Sequence, residues 1–292
     1  MKIDRIYIAG CRLDVHFTQC CVASIRHWYP RIPISLIKDE SHGDYSTEEM
    51  ERYWDIDCFQ TPKKFLGFGF GKLEPLFLPT GKRCLILDSD IVFIGKVLEV
   101  LEQYDEDFIV ADTPNPPEET AMHYFDLAKL HGLDPEFVFP NYTFNSGQFV
   151  ATTGIIRRDS FEPFLTFGDP PAHAYPDIFA AGEQGVLNFV LMKKFQKGSI
   201  SLRREAFMWW AGWLDEETVK IENLTRNSPY PVLVHWAGCK SKTSFHVSRH
   251  DDIMGHFQSL YYSRIPRKTR AVNKYARRWL ANAASALKQK WL

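Results

Sequence analysis

Two aspartates that directly follow an apolar segment are the residues of this sequence best suited to chemistry. Residues 84–87 read Cys-Leu-Ile-Leu, which predicts a buried β-strand, and Asp88 and Asp90 come immediately after it. Ligands of parallel α/β proteins collect at the carboxyl ends of strands. Two carboxylates placed together there are costly unless a cation compensates them, and their oxygen atoms suit a hard divalent ion. The pattern predicts a Mg²⁺ or Mn²⁺ site of the kind that holds a diphosphate.

Asp-x-Asp is a common pattern by itself, and only its position gives it meaning here. The sequence has three such pairs, and those at residues 55/57 and 105/107 lie in charged stretches typical of solvated turns. Only Asp88 and Asp90 follow a run of four apolar residues. The alternative interpretation of this pair is a turn at a strand end, in which an aspartate caps backbone amides.

These aspartates need a sheet to hold them, and the N-terminal sequence predicts one. Ile3–Ala9 and Ile32–Ile37 are apolar runs typical of buried strands, and apolar residues recur at helical spacing from Phe17 to Trp28 between them. Strand, helix and strand within ~35 residues form a βαβ unit, which implies a parallel sheet. Further helices are predicted at Lys72–Leu78, Thr120–Leu130 and Gly185–Lys194, and further strands at Arg83–Leu87, Phe108–Ala111, Phe144–Ala151 and Val232–His235. The sequence predicts an α/β fold with a mainly parallel sheet, as one domain over residues 1–260.

The composition is that of an ordinary globular protein. The 292 residues carry a formal net charge of -1, with 45% hydrophobic and 24% charged residues, which excludes collagen, low-complexity disorder and a dense disulfide scaffold. The six cysteines show no Cys-x-x-Cys spacing, and the sequence has neither a signal-peptide core nor an apolar run of the ~20 residues that span a bilayer. We expect a soluble, reduced, cytoplasmic protein.

The charge is distributed unevenly along the chain. Residues 261–292 contain nine Lys and Arg and no acid, so the rest of the chain holds all 36 acidic residues. Apolar residues recur there every three or four positions, which predicts an amphipathic helix of ~20 residues with basic flanks. Such a helix is expected to bind an anionic membrane surface from the cytoplasmic side. The alternative is a helix that docks on the acidic body; that acidic body disfavours a nucleic acid as partner.

Several short segments recur in an order that resembles the family 8 glycosyltransferases, the group containing glycogenin and the bacterial lipooligosaccharide galactosyltransferases. The resemblance spans roughly residues 3 to 242. Besides the Asp88/Asp90 pair, the segments that carry it are Phe70–Leu76, Phe144–Val150, Gly182–Asn188 and Val234–Gly238. The resemblance implies a GT-A fold, which is a Rossmann-like nucleotide-binding domain. It further implies a UDP-sugar donor such as UDP-glucose or UDP-galactose, Mn²⁺ (or Mg²⁺), retention of anomeric configuration, and a glycan, lipid-linked or protein acceptor.

The resemblance also assigns roles to individual residues. Asp88, Asp90 and His235 match the metal ligands, and Glu183 and Gln184 match a catalytic acid–amide pair beside the donor sugar. Residues expected to contact the donor are Ala9, Gly10, Lys72, Asp88, Ser89, Asn145, Gly147, Gly238 and Lys240. Asp39 is a further positional candidate for the base.

Each of these residues also has an alternative interpretation. His235 would be a core histidine, Lys72 a solvated lysine, Asn145-x-Gly147 a strand-edge turn, and Glu183 an acid favoured by a helix N-terminus.

The sequence departs from the family pattern at two places. Glu183 stands where the family has aspartate, which adds a methylene to the side chain. The family has a lysine six residues after the histidine, followed by Pro-Trp, whereas here Lys240 and Lys242 lie five and seven residues after His235 and no Pro-Trp follows. The sequence leaves open which of the two lysines contacts the diphosphate.

Other features leave further alternatives open. The aromatic run at residues 207–213 suits an acceptor site, since sugar rings stack on aromatic faces, or a segment of the core. A nucleotidyltransferase also uses paired aspartates, but it needs a Gly-rich basic loop for which Gly10–Asp14 is a poor substitute. A non-catalytic scaffold at a membrane is the third possibility.

Overall fold

We analysed a computed structural model of the chain. It describes residues 1–266 apart from Pro62, Phe68, 114–116, Glu216, 225–226 and 240–248. Within these residues, no helix combines the length and the apolarity that crossing a bilayer requires.

Strands and helices alternate along most of the described chain. The strands are β1 (Arg5–Cys11), β2 (Ile34–Asp39), β3 (Asp57–Cys58), β4 (Arg83–Asp88), β5 (Ile91–Phe93), β6 (Phe108–Ala111), β7 (Gln148–Thr152), β8 (Leu165–Thr166), β9 (Ala172–His173), β10 (Leu202–Glu205), β11 (Met208–Trp210) and β12 (Leu233–His235). The α-helices are α1 (Val15–Trp28), α2 (Glu48–Trp54), α3 (Val97–Leu101), α4 (Pro117–His123), α5 (Leu127–Leu133), α6 (Gln184–Gln196) and α7 (Asp251–Ser263). Short 3₁₀ helices span Arg12–Asp14, Phe70–Phe77, Arg158–Ser160 and Ile221–Asn223.

The central sheet has seven strands in the order β10-β6-β7-β4-β1-β2-β3. Strand β1 lies parallel to both β2 and β4, and the pairs β2·β3 and β6·β10 are also parallel. Only β7 runs antiparallel to its neighbours β4 and β6. The prediction of an α/β fold with a mainly parallel sheet, built on an N-terminal βαβ unit, is confirmed.

A smaller sheet of order β11-β12-β5 adjoins the central one. Strand β12 pairs antiparallel with β5 and parallel with β11, in a register that sets His235 opposite Ile91. Because β4 belongs to the large sheet and β5 to the small one, the chain passes from one sheet to the other through Ser89 and Asp90.

Apolar cores cover both faces of the central sheet. Helix α1 is buried on nearly all sides, since the sheet covers one side and α7 packs on another. At the contact with α7, Cys20 Sγ lies 3.6 Å from the Met254 carbonyl oxygen. A helix enclosed in this way needs mostly apolar or small residues, which Phe17–Trp28 provides, and its buried Arg26 donates to the Trp54 carbonyl. The opposite face is packed by α6 and by a cluster of aromatic side chains that includes Phe149 and Phe189.

Three elements differ from their predicted extents. The helix predicted at Thr120–Leu130 is two helices, α4 and α5, and the Asp126 side chain caps α5 by accepting from the amides of Ala128 and Lys129. The helix predicted at Lys72–Leu78 is 3₁₀ and contains Pro75. The strand predicted from Phe144 begins only at Gln148, because Phe144, Asn145 and Ser146 bond to side chains of α6.

Helix α7 ends the described part of the chain and runs across residue 260. Tyr261 stacks on Trp54 with ring centroids 5.2 Å apart, and Ile265 is 1% exposed. The packed body therefore extends to Ile265. The basic amphipathic helix predicted for the C-terminus lies outside the described residues from 267 onward, and the division at residue 260 stays a prediction.

Candidate active site

Asp88 and Asp90 lie at the junction of the two sheets. Asp88 is the last residue of β4, and its amide donates to the Gly147 carbonyl at 2.7 Å. Asp90 precedes β5, and its carbonyl accepts from the Trp236 amide at 3.1 Å. The first aspartate is thus held by the large sheet and the second by the small one. The turn between them is anchored on both sides, and Ser89 and Asp90 are each 3% exposed.

His235 completes a group of three potential metal ligands. Its Nε2 lies 3.3 Å from Asp90 Oδ1 and 4.0 Å from Asp88 Oδ2. One ligand atom from each residue lies within 4.8 Å of the others. The pairing of β12 with β5 brings His235 to this place from 145 residues farther along the chain. Two carboxylate oxygens and one imidazole nitrogen form a donor set that suits Mn²⁺, since Mg²⁺ prefers oxygen alone.

The imidazole of His235 is oriented by stacking. It is 2% exposed, and its Nδ1 finds no hydrogen-bond partner among the described residues. The Trp210 indole lies against it with ring centroids 5.1 Å apart and planes inclined by 25°. Metal-binding histidines usually have the second ring nitrogen tied by a hydrogen bond. Here the aromatic neighbour holds the ring instead.

Lys72 is a buried cation that joins the potential metal ligand Asp88 to Glu183 of the candidate catalytic pair. Its Nζ lies 2.7 Å from Asp88 Oδ1 and 2.7 Å from Glu183 Oε1, and its side chain is 4% exposed. Burial by itself lowers the pKa of Lys72, but the two carboxylates outweigh it and raise that pKa above the usual range. Lys72 is therefore a charged residue of the site, and the alternative of a solvated lysine is wrong.

The Glu183 carboxylate is directed into the site. Glu183 is the N-cap residue of α6, yet its side chain makes no capping hydrogen bond. It accepts from the Ser146 hydroxyl at 2.6 Å and binds Lys72. The extra methylene relative to aspartate is accommodated at Gly69, where a β-carbon would lie 1.6 Å from Glu183 Oε2. Gly69 also has φ of +80°, which glycine adopts without strain.

Gln184 organises the segment that precedes β7. Its Oε1 accepts from Asn145 Nδ2 and from the Ser146 amide, both at 3.0 Å, and its Nε2 donates to the His123 carbonyl at 3.2 Å. Asn145 Oδ1 in turn accepts from the Gly147 amide at 2.8 Å. These bonds give residues 145–147 one defined path past the potential metal ligands.

Gly147 is required for the close packing of that segment. A β-carbon there would lie 2.4 Å from His235 Cε1 and 2.9 Å from Asp88 Oδ2. Any side chain at this residue would displace two of the three potential metal ligands. The simple strand-edge turn, the alternative for Asn145-x-Gly147, does not account for this contact.

Three residues of the site were missed from the sequence. Gly69 and Ser146 contact Glu183 as described. Asn188, one helical turn after Gln184, bonds both backbone groups of Phe144 at 2.9 Å and so clamps the segment onto α6. The i, i+4 spacing of two amide side chains was the available signal for Asn188, and a glycine between two aromatic residues was the signal for Gly69.

The structure describes the remaining predicted donor residues that precede residue 240. Ala9 is the register partner of Asp88, and the Gly10 carbonyl accepts from the Tyr45 hydroxyl at 3.0 Å. Asp39, the last residue of β2, accepts from the amides of Ser41 and Leu66. Gly238 has φ of +74°, and a β-carbon there would meet no described residue within 4 Å. Lys240 and Lys242 lie outside the described residues.

Comparison with solved structures identifies the fold. No family model matches the chain, and no curated protein matches it. The glycosyltransferase GlyE of Streptococcus pneumoniae TIGR4 is similar at 16% identity and a TM-score of 0.54, over 90% of this chain and 63% of that one. The galactosyltransferase LgtC, in complex with donor and acceptor sugar analogues, is similar at 16% identity and a TM-score of 0.51, over 91% of this chain and 99% of that one. The WbbM bifunctional glycosyltransferase is similar at 12% identity and a TM-score of 0.54, over 90% of this chain and 52% of that one.

This chain thus spans 52% to 63% of two of these structures and nearly all of the third. Together with the mainly parallel sheet, they show that the chain has the fold of GT-A glycosyltransferases. Membership of family 8 stays a resemblance of sequence motifs.

Proposed function

We propose that this protein is a metal-dependent glycosyltransferase that moves a hexose from UDP-glucose or UDP-galactose to a hydroxyl of a glycan, glycolipid or protein. The observation that supports it most is the convergence of Asp88, Asp90 and His235 with the Lys72–Glu183 ion pair at one edge of the sheet. A binding scaffold has no need of a buried lysine shared by a metal ligand and a second carboxylate.

In the proposed reaction, Asp88, Asp90 and His235 would hold a divalent ion, and that ion would supply positive charge to neutralise the departing diphosphate. Lys72 has three N–H donors and uses two on carboxylates, so the third is available to the donor substrate. The bond between the anomeric carbon and the UDP oxygen breaks, and the acceptor oxygen bonds to that carbon. The acceptor proton passes to an oxygen of the departing diphosphate.

Glu183 and Gln184 have positioning roles in this proposal. Glu183 is 2% exposed and already bound by Lys72 and Ser146, which suits a residue that orients the donor sugar rather than one that attacks it. The Gln184 amide oxygen accepts from Asn145 and Ser146, so it is fixed beside the segment expected to contact the sugar. Retention of configuration, which the motif resemblance implies, then requires attack from the face that UDP leaves.

A donor panel tests the proposal. The purified chain is incubated with UDP- and GDP-hexoses and Mn²⁺, and release of nucleoside diphosphate and the thermal shift are measured, with Asp88→Asn as the control. We expect hydrolysis and stabilisation with a UDP-hexose, both lost in the variant and in EDTA. Activity that persists in EDTA would refute metal dependence. Release of pyrophosphate from a nucleoside triphosphate would favour the nucleotidyltransferase, and no turnover with any donor would favour the scaffold.

We also propose that the basic C-terminal segment binds anionic membranes. The proposal rests on its nine Lys and Arg residues without an acid. The structure sets where to cut: because Ile265 is buried, truncation should follow Pro266. The truncated chain should lose sedimentation with phosphatidylglycerol liposomes at low salt and keep UDP-hexose hydrolysis. Equal sedimentation of both forms would refute the proposal.

A further inference from the structure

An exposed indole stands next to the stacked Trp210–His235 pair. Trp213 is 63% exposed, and its ring packs edge-on against Trp210 with centroids 6.0 Å apart and planes inclined by 61°. Trp210 in turn lies against His235 at 5.1 Å. These two successive ring contacts connect Trp213 to the potential metal site.

The turn that carries Trp213 is held in place on several sides. The Ala211 amide donates to the His235 carbonyl at 2.9 Å, and the amides of Trp213 and Leu214 both donate to the Trp210 carbonyl. The His250 ring bonds the Leu214 carbonyl at 3.0 Å. The exposure of Trp213 is therefore a property of an anchored turn. A side chain of this size left in water gives up most of the stabilisation that burial would provide.

The position of Trp213 separates it from the expected place of the nucleotide base. Ala9 on β1 adjoins Asp88 on one side, toward β2, where the base candidates lie. His235 and β11 adjoin the aspartates on the other side, across the small sheet. Base and indole are thus expected at opposite ends of the site, which leaves Trp213 to a different ligand.

We propose that Trp213, backed by Trp210, is the acceptor platform, and that the acceptor is a pyranoside whose apolar C–H face stacks on the exposed indole. Stacking orients a sugar ring without consuming its hydroxyls, so one of them stays available to the anomeric carbon. This inference rests on the proposed function and names the acceptor class for the same site.

The variants for the test are Trp213→Ala, the conservative Trp213→Phe, and Phe195→Ala as the matched control. Phe195 is an exposed aromatic residue, 46% exposed, at the far end of α6 from Gln184. The probes are methyl glycosides of glucose, galactose and mannose and of their disaccharides, with the UDP-hexose that the wild type hydrolyses. Transfer is followed by mass spectrometry, and pyranoside binding to the UDP–Mn²⁺ complex by saturation-transfer NMR.

We expect Trp213→Ala to raise the KM or Kd for the pyranoside by about tenfold, a typical effect of losing an aromatic contact. The KM for the donor and the unfolding midpoint should stay at wild-type values. Trp213→Phe should recover part of the affinity, and Phe195→Ala should change nothing.

Each other outcome identifies what is wrong. If the wild type hydrolyses no donor, the proposed function fails. The wild type could hydrolyse a donor yet bind no pyranoside, or Trp213→Ala could bind the pyranoside as well as the wild type does. Either result would refute the acceptor platform and leave the proposed function intact. A loss of UDP affinity in Trp213→Ala would show that the indole stacks on the nucleotide base, and would also refute the acceptor platform.

Discussion

Replacing Lys72 by methionine tests the electrostatic arrangement of the site directly. Methionine keeps an unbranched chain of similar volume and removes the charge. The change leaves the Glu183 carboxylate, 3% exposed at its side chain, without its cation, and removes the partner of Asp88 at 2.7 Å. Breaking a buried ion pair from one side is strongly destabilising because the remaining charge stays in a poorly solvated place.

The expected loss is about 3–5 kcal/mol in the free energy of unfolding. Most of it is assigned to Glu183, since the Asp88 side chain is 31% exposed and retains part of its hydration. The double variant Lys72→Met/Glu183→Gln removes both charges, so it should recover at least about 2 kcal/mol of the loss. Lys82→Met is the matched control. Lys82 is 74% exposed and pairs with Asp4 at 3.8 Å, and loss of such a surface pair costs about 0–1 kcal/mol.

Urea unfolding of the four proteins measures these differences, and its pH dependence adds a second check. The carboxylates raise the folded-state pKa of Lys72 against the opposing effect of burial. The stability that Lys72 contributes is therefore present in full below the unfolded pKa of about 10.4 and is lost as the pH rises through the folded pKa. The difference between wild type and Lys72→Met should stay constant from about pH 7 to 10 and shrink above. The buried ion pair would be refuted if Lys72→Met lowered the free energy of unfolding by less than about 1 kcal/mol, or if the double variant regained none of the loss.

Three further predictions concern the chemistry of the site. Asp90→Asn should abolish the thermal shift that Mn²⁺ and UDP together produce; a shift equal to wild type would remove Asp90 from the ligand set. Gln184→Ala should lower kcat for UDP-hexose hydrolysis by at least about tenfold while the Kd for UDP stays within about twofold, because Gln184 bonds to the segment that we propose contacts the sugar. Gly69→Ala should add about 1–2 kcal/mol of backbone strain and also displace the Glu183 carboxylate, so hydrolysis should fall. Gly198→Ala, at φ of +65° with open space around it, carries the strain alone and should keep full activity.

Local pattern was sufficient for the elements that carry the site. The apolar runs around residues 3–9 and 32–37, with helical spacing between them, predicted the βαβ unit that forms β1, α1 and β2. The strand that ends in Asp88 and the helix that begins at Gln184 were also predicted within about two residues of their bounds. These features depend on periodicity and on turn residues, which a sequence displays directly.

Pattern was insufficient where side chains compete for the backbone. Residues 144–147 were predicted as the start of a strand because they lead from Phe144 into the apolar run Phe149–Ala151. Asn188 and Gln184 on α6 take the hydrogen bonds that a strand there would need, so the strand begins at Gln148. The periodicity of a segment contains no information about the side-chain amides of a helix about 40 residues farther along the chain.

The sequence by itself determined which residue types were available. They are the aspartates that follow a buried strand, Lys72 before them in the chain, and the Glu183–Gln184 pair and His235 after them. Only the tertiary structure decided that they meet. The register of β12 on β5 brings His235 to Asp90, and Gly69 and Gly147 provide the space for Glu183 and His235. The buried Lys72 then becomes a shared counterion instead of a solvated charge. The physical reason is that these contacts depend on the distances between strands and helices that lie far apart in the chain. Those distances are set only when the two sheets pack together.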